Sequence, residues 1–209
     1  MNGQAGLEPA APAGRCRNAA ITAVALAAGL CSLSLAAAQP GQPSSVIINE
    51  EVRHYTIEAG SIDELRDRLR HDVPGRGGTH GRTWSDVRIA YELDRSGEGC
   101  RIRDLEVRLD IEVTLPEWEP GNRVPKAQRE RWTRALAALE RHEATHRANA
   151  RAAAEEVRDR VQDIGRLPGC KTVRDTANRL LRRTMLKYEF RDRRYDARTR
   201  NGAEQGAVL

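Results

Sequence analysis

The chain has 209 residues, 31% of them charged, with a formal net charge of +5 and a mean hydropathy of −0.65. That length suits one domain plus a processing segment, and that polarity excludes a membrane-embedded fold. Basic and acidic residues are interspersed, as in RERWTRALAALERHE, and aromatic residues make up only 4%, so neither a phosphate-binding stripe nor base stacking is expected and a nucleic-acid partner is disfavoured.

The N-terminus is unlike the rest. Arg15 and Arg17 precede an apolar run from Ala19 to Leu35, then Ala36, Ala37, Ala38 and Gln39. This is the pattern of an export signal cut before Gln39. Residues 1–38 are read as a signal peptide, 39–45 (QPGQPSS) as a polar linker and 46–209 as the domain, periplasmic or secreted, with no integral membrane segment after cleavage. Retention of the segment as an N-terminal anchor is the alternative, and it too places the domain in an exported compartment. Cys16 and Cys31 leave with the signal, so Cys100 and Cys170 remain as an even pair in an oxidising environment. They are expected to form a disulfide, worth about 4 kcal/mol for a loop of that length.

A first strand is expected through VIINEEVRHYTIEA, where Val52, Tyr55 and Ile57 mix with polar residues. SIDELRDRLRH begins with Ser61 and Glu64 at capping-box spacing and presents Ile62, Leu65 and Leu69 on one helical face. The Gly-rich DVPGRGGTHGRT forms a loop. WSDVRIAYELD alternates Val87, Ile89, Tyr91 and Leu93, and after the turn RSGEG the run Leu105, Val107, Leu109, Ile111, Val113, Leu115 alternates without a break. The two suggest an antiparallel hairpin with a bulge near Arg103 and Asp104, because Ile102 is out of phase. LPEWEPGNRVP ends the sheet and Pro125 begins a helix.

From there to about Ile164 no Gly or Pro intervenes, and apolar residues recur at helical spacing from Trp132 to Val161. GRLPGC breaks this helix. A second runs through TVRDTANRLLRRTMLKYEF, and RYDARTRNGAEQGAVL reads as an irregular tail.

Inside the long helix lies His142-Glu143-Ala144-Thr145-His146, an H-E-x-x-H pattern. Positions i and i+4 share a helical face, so both imidazoles can reach one zinc ion while Glu143 stands beside it as a base for an attacking water. Glu140 and Arg147 place charges at flanking positions where zinc peptidases of this type usually have uncharged residues. Asn149 and Ala152 stand where an extended site would need Gly and His, so that subclass is excluded. The third ligand must come from elsewhere: Asp196, Glu189 or Asp192, or His80 of the Gly-rich loop.

The series TW leading into a strand, GC opening the long strand, LPEW, RW before HEATH, a second Cys and a terminal YDARTRNGAEQGA resembles the bacterial family of predicted secreted zinc-dependent proteases, domain of unknown function 922, over roughly residues 52 to 209. The resemblance implies a zincin-like α+β domain, a small antiparallel sheet on a long H-E-x-x-H helix and a second C-terminal helix, with His142 and His146 as metal ligands, Glu143 as catalytic base, and Cys100 and Cys170 as a pair. In the family a histidine precedes the glycine ahead of the Gln-Gly-Ala segment. This chain has Asn201 there, which leaves the third ligand to Asp196 or another carboxylate. The expected function is that of an exported zinc metallohydrolase, a peptidase acting on peptide or protein substrates. The alternative is an envelope binding or scaffold protein of the same fold that does not hydrolyse.

Overall fold

The computed structural model describes residues 44–71 and 80–209. Its elements are β1 (Ser45–Ala59), α1 (Ile62–His71), β2 (Arg82–Asp94), β3 (Arg101–Pro120), α2 (Lys126–Gln162), α3 (Cys170–Thr199) and a short 3₁₀ turn, Ala203–Gln205. The class is α+β. The expected signal segment, 1–38, lies outside the described residues. Among the described residues no helix is long and apolar enough to cross a membrane.

The sheet has the order β1-β3-β2, with β2 antiparallel and β1 parallel to β3. The expectation of a purely antiparallel sheet is corrected here. Alternation of side chains sets which face of a strand is buried and carries no information about its direction. Because α1 and β2 lie between β1 and β3 in the chain, the outer two strands run opposite to each other and flank the central one. Other boundaries shift slightly. β1 starts at the last residue of the expected linker, and LPEWEP continues β3 rather than ending the sheet.

β3 supplies the core. Leu105, Val107, Leu109, Ile111, Val113 and Leu115 are all buried, and they pack with Leu139, Ala150, Ala154, Val157 and Val161 of α2 and Ala177 of α3. The opposite face of the sheet is polar and cross-linked by ion pairs such as Arg53 with Glu112 and Arg88 with Asp110. The sheet is therefore one layer with α2 and α3 packed on its apolar face. The bulge falls where the pattern broke. Tyr91 alone opposes Asp104 and Leu105, and Asp104 takes a left-handed conformation at φ 50°, which Asp tolerates better than most residues.

A second cluster joins α1 to the far end of the sheet. Leu65, Leu69, Ile57, Trp118 and Val124 are buried together, and the Trp118 Nε1–H donates to the Ala59 carbonyl at 2.9 Å. At the other end Cys100 and Cys170 are disulfide-bonded, tying the start of β3 to the start of α3. Cys100 and Leu167 also exchange two backbone hydrogen bonds of 2.8 Å. Gly99 makes this possible. It sits at φ 86°, and a Cβ there would lie 2.4 Å from the Leu167 carbonyl oxygen.

The first part of the segment read as an irregular tail is helix, since α3 continues to Thr199. Its charged residues, RDRRYDART, obscure a narrow buried stripe of Tyr188, Tyr195 and Thr199. The extension sets Asp192 and Asp196 one turn apart on a helix packed against α2.

Candidate metal centre

α2 and α3 run antiparallel, and each brings an i, i+4 pair to their contact. His142 and His146 come from α2, Asp192 and Asp196 from α3. His142 is 1% exposed and Glu143 3% exposed, while His146 and Asp196 are partly open to solvent. The group His142, His146 and Asp196 could hold a metal ion. His142 Nε2 lies 3.3 Å from His146 Nε2 and 3.2 Å from Asp196 Oδ1, and His146 Nε2 lies 2.9 Å from that same oxygen.

The outer partners assign the tautomers. His142 Nδ1 is 2.9 Å from Gln205 Oε1, and His146 Nδ1 is 3.1 Å from Asp192 Oδ1. Both partners are acceptors, so both Nδ1 atoms carry hydrogen and both Nε2 atoms present lone pairs. Three acceptors thus converge. A proton on His146 Nε2 would satisfy its contact with Asp196 and leave His142 Nε2 facing the same carboxylate, acceptor against acceptor. A tetrahedral zinc ion with bonds of roughly 2.0–2.1 Å separates its ligand atoms by about 3.3 Å, close to these three edges. The donor set, two imidazoles and a carboxylate, is one that zinc accepts, as do other first-row divalent ions. The residues present therefore fit the ion that the H-E-x-x-H pattern implies.

The electrostatics agree. Burial opposes a charge on His146, but the hydrogen bond to Asp192 and the charges of Asp196, Asp192 and Glu143 outweigh it and raise its pKa above the usual imidazole value. The pocket is one in which a cation is favoured.

The surrounding shell is fixed by the turn after α3. Arg200 and Asn201 are left-handed at φ 48° and 52°, followed by Gly202 at φ 85°. A Cβ on Gly202 would stand 3.2 Å from His142 Cγ, so glycine lets the backbone reach the imidazole and carry Gln205 to its Nδ1. The Tyr195 ring stacks on that of His142 at 4.8 Å, and its hydroxyl is 3.0–3.2 Å from the Gln205 amide. Asn149 donates to Asp192 at 2.6 Å, holding the carboxylate that orients His146.

Glu143 points away from α3 toward β2. Its Oε2 accepts from the Thr83 hydroxyl at 2.7 Å, and its Oε1 lies over Gly81, where a Cβ would come within 3.0 Å.

Of the candidates for a third ligand, Asp196 is the one brought to the histidines. Asp192 is an outer partner. Glu189 pairs with Arg193 on the exposed side of α3. His80 is not part of that group: its carbonyl accepts from the Tyr55 hydroxyl at 2.7 Å, a phenol that burial pushes up to about 12, and burial followed by the nearby Arg70 lowers its imidazole pKa. Asn201 belongs to the turn and not to the metal group. Thr83, Tyr195 and Gln205 lie within the TW and YDARTRNGAEQGA segments and Gly81 within the Gly-rich loop, but the sequence assigns none of them a role at the site.

A model of the family described as "Bacterial protein of unknown function (DUF922)" matches residues 52–203. The chain belongs to that family. The DUF922 match spans His142, Glu143, His146 and Asp196 and stops short of Gln205. Searches of curated proteins and of solved structures give no match.

Proposed function

We propose that this DUF922 chain is an exported zinc-dependent metallohydrolase, a peptidase of zincin-like fold, with His142, His146 and Asp196 holding the metal and Glu143 as its base. One observation carries the reading: three lone pairs converge at 2.9–3.3 Å, one residue along the helix from a buried carboxylate. The apolar segment at residues 19–35 and the Cys100–Cys170 disulfide support export.

Zinc, when bound, supplies the Lewis acidity that makes water a nucleophile near neutral pH. The chain's own residues do the rest. Gln205 and Asp192 hold the imidazoles in the tautomer that leaves both Nε2 atoms free to ligate. Thr83 occupies one oxygen of Glu143, which leaves Oε1 to take a proton and deliver it to a leaving amine. Among the described residues the outer edge of β2, beside Thr83, pairs with no further strand and offers main-chain donors and acceptors to an extended peptide, so a peptide substrate is favoured over a compact small molecule.

A second reading, a binding or scaffold protein without hydrolysis, is favoured by the burial of Glu143 and the capture of its carboxylate by Thr83. The test has two steps. Elemental analysis of the purified chain should find about one zinc per chain, and none in His142→Ala/His146→Ala. Glu143→Gln should then keep the zinc and lose hydrolysis of an unstructured protein substrate. Zinc in the parent with equal activity in Glu143→Gln would remove the assigned base. Zinc with no activity in either would select the binding reading, and no zinc in the parent would remove the metal centre.

A further inference from the structure

Outside the metal centre, α3 turns a different surface to solvent. Leu186 and Phe190 stand one turn apart and are 62% and 61% exposed, more than any other large apolar side chain among the described residues. Arg182, Arg183, Arg191, Arg194 and Arg198 are exposed around them, and among the described residues none of the five is ion-paired. Arg194 lies 5.9 Å over the Phe190 ring. The acidic groups of this stretch are otherwise engaged: Glu189 with Arg193, and Asp192 and Asp196 with the histidines. A depression of about 430 Å³ runs beside the patch, lined by Thr145, Asn149, Phe190, Arg191, Arg194 and Arg198 among others. Thr145 is two residues from Glu143, about 200° around the helix, so this surface lies on the flank away from the proposed base.

The combination restricts the partner. A second copy of the chain, docked face to face, would set arginine against arginine. A purely polyanionic partner would satisfy the guanidinium groups and leave Leu186 and Phe190 in water. A surface that is anionic outside and apolar just beneath meets both demands, because arginine pairs with phosphate while its stem lies along apolar matter and the two apolar tips reach the acyl boundary.

We infer that the outer face of α3 from Arg182 to Arg198 docks on an anionic phospholipid surface, with Leu186 and Phe190 entering the headgroup region. The docking is peripheral and independent of the metal reading.

The test is co-sedimentation of the full chain with vesicles of mixed phosphatidylglycerol and phosphatidylcholine. The parent is compared with Arg191→Glu/Arg194→Glu and with Leu186→Ser/Phe190→Ser, at low and high salt. All four positions are exposed, and matching thermal melts will establish that the variants fold. The charge variant should lose at least about tenfold in apparent affinity at low salt, and the apolar variant roughly tenfold with its net charge unchanged. His142→Ala/His146→Ala should bind as the parent does, so failure of the metal centre leaves this result standing. Binding through any other segment is common to all variants and cancels in the comparison. Equal binding by parent and both surface variants would overturn the inference. So would capture of polyglutamate with no vesicle binding, which would assign the face to an acidic protein instead.

Discussion

The helix pair α2 and α3 is packed by two different chemistries at its two ends. Toward the disulfide, Ala150, Ala154, Val157, Val161 and Ala177 meet the leucines and valines of β3, and burial of apolar surface stabilises the fold directly. Toward the other end, His142, His146, Asp192, Asp196 and Gln205 fill the same interhelical space with polar atoms. There three acceptors oppose one another, an opposition that a bound cation would relieve, while the first end needs no such partner. The two arrangements share two helices and occupy different turns of them.

Changes at the polar end should move metal affinity, and changes at the apolar end should move stability. The largest effect is expected from Asp196→Ala. Removing one of three ligands should weaken zinc binding by more than about 100-fold, beyond the range of an outer partner. Competition against a chromogenic chelator measures this, and a zinc-free melt no lower than the parent's is expected, because an acceptor has left a repulsive cluster. Reduction of the Cys100–Cys170 bridge comes next. Its loop spans 70 residues, which corresponds to about 4 kcal/mol in the chain-entropy model; urea unfolding with and without reductant reads it, and zinc affinity below the transition should hold.

Leu109→Ala, at a fully buried position of β3, should destabilise by about 2–5 kcal/mol with zinc stoichiometry intact. A coupled loss of zinc in the folded variant would show that the two ends are not separable. Gln205→Ala should weaken zinc by about 10–100-fold, because His142 Nδ1 loses the partner that fixes its tautomer.

The smallest effect concerns Asp94, buried near the disulfide end. Hydrogen bonds from the Ser96 hydroxyl and backbone N–H, and then from Arg101, hold its carboxyl well below the usual range. A folded pKa below the unfolded one contributes stability above the unfolded value of about 3.9 and loses it as pH falls further. Asp94→Asn should therefore be less stable than the parent at pH 7, and the gap should narrow as unfolding is followed into acid.

What could be read from the sequence divides along the same line. The apolar end was open to inspection: strict alternation from Leu105 to Leu115 and the helical recurrence to Val161 report burial residue by residue. Half of the polar end was open too, because His142 and His146 lie on one helix at a spacing that only a helix makes meaningful. Asp196 stood as one candidate among several, since the charged RDRRYDART hid the continuation of α3 that gives it a direction. Thr83 and Gln205 stand inside recognisable segments, TW and YDARTRNGAEQGA, but no local pattern gives either a role; they reach the site through the pairing of β2 and the turn at Gly202. Strand direction was unreadable for a similar reason, as it depends on the route of the chain over the end of β3. Along the sequence the charges of α3 look mixed, and the helix sorts its last turns, with Asp192 and Asp196 turned to the histidines and Arg191, Arg194 and Arg198 exposed.

The distance in sequence between the two halves of the centre bears on how it is filled. His142 and Gln205 are 63 residues apart, and His146 and Asp196 are 50 apart. A chain that emerges vectorially, from a ribosome or through a membrane pore, exposes the histidine pair long before the carboxylates and the amide that complete it. During that interval the pair would be at most a two-ligand half-site. For the proposed metal centre, capture would then wait for closure of the helical hairpin, and the identity of the ion would be decided in the compartment where α3 folds back rather than where α2 is made.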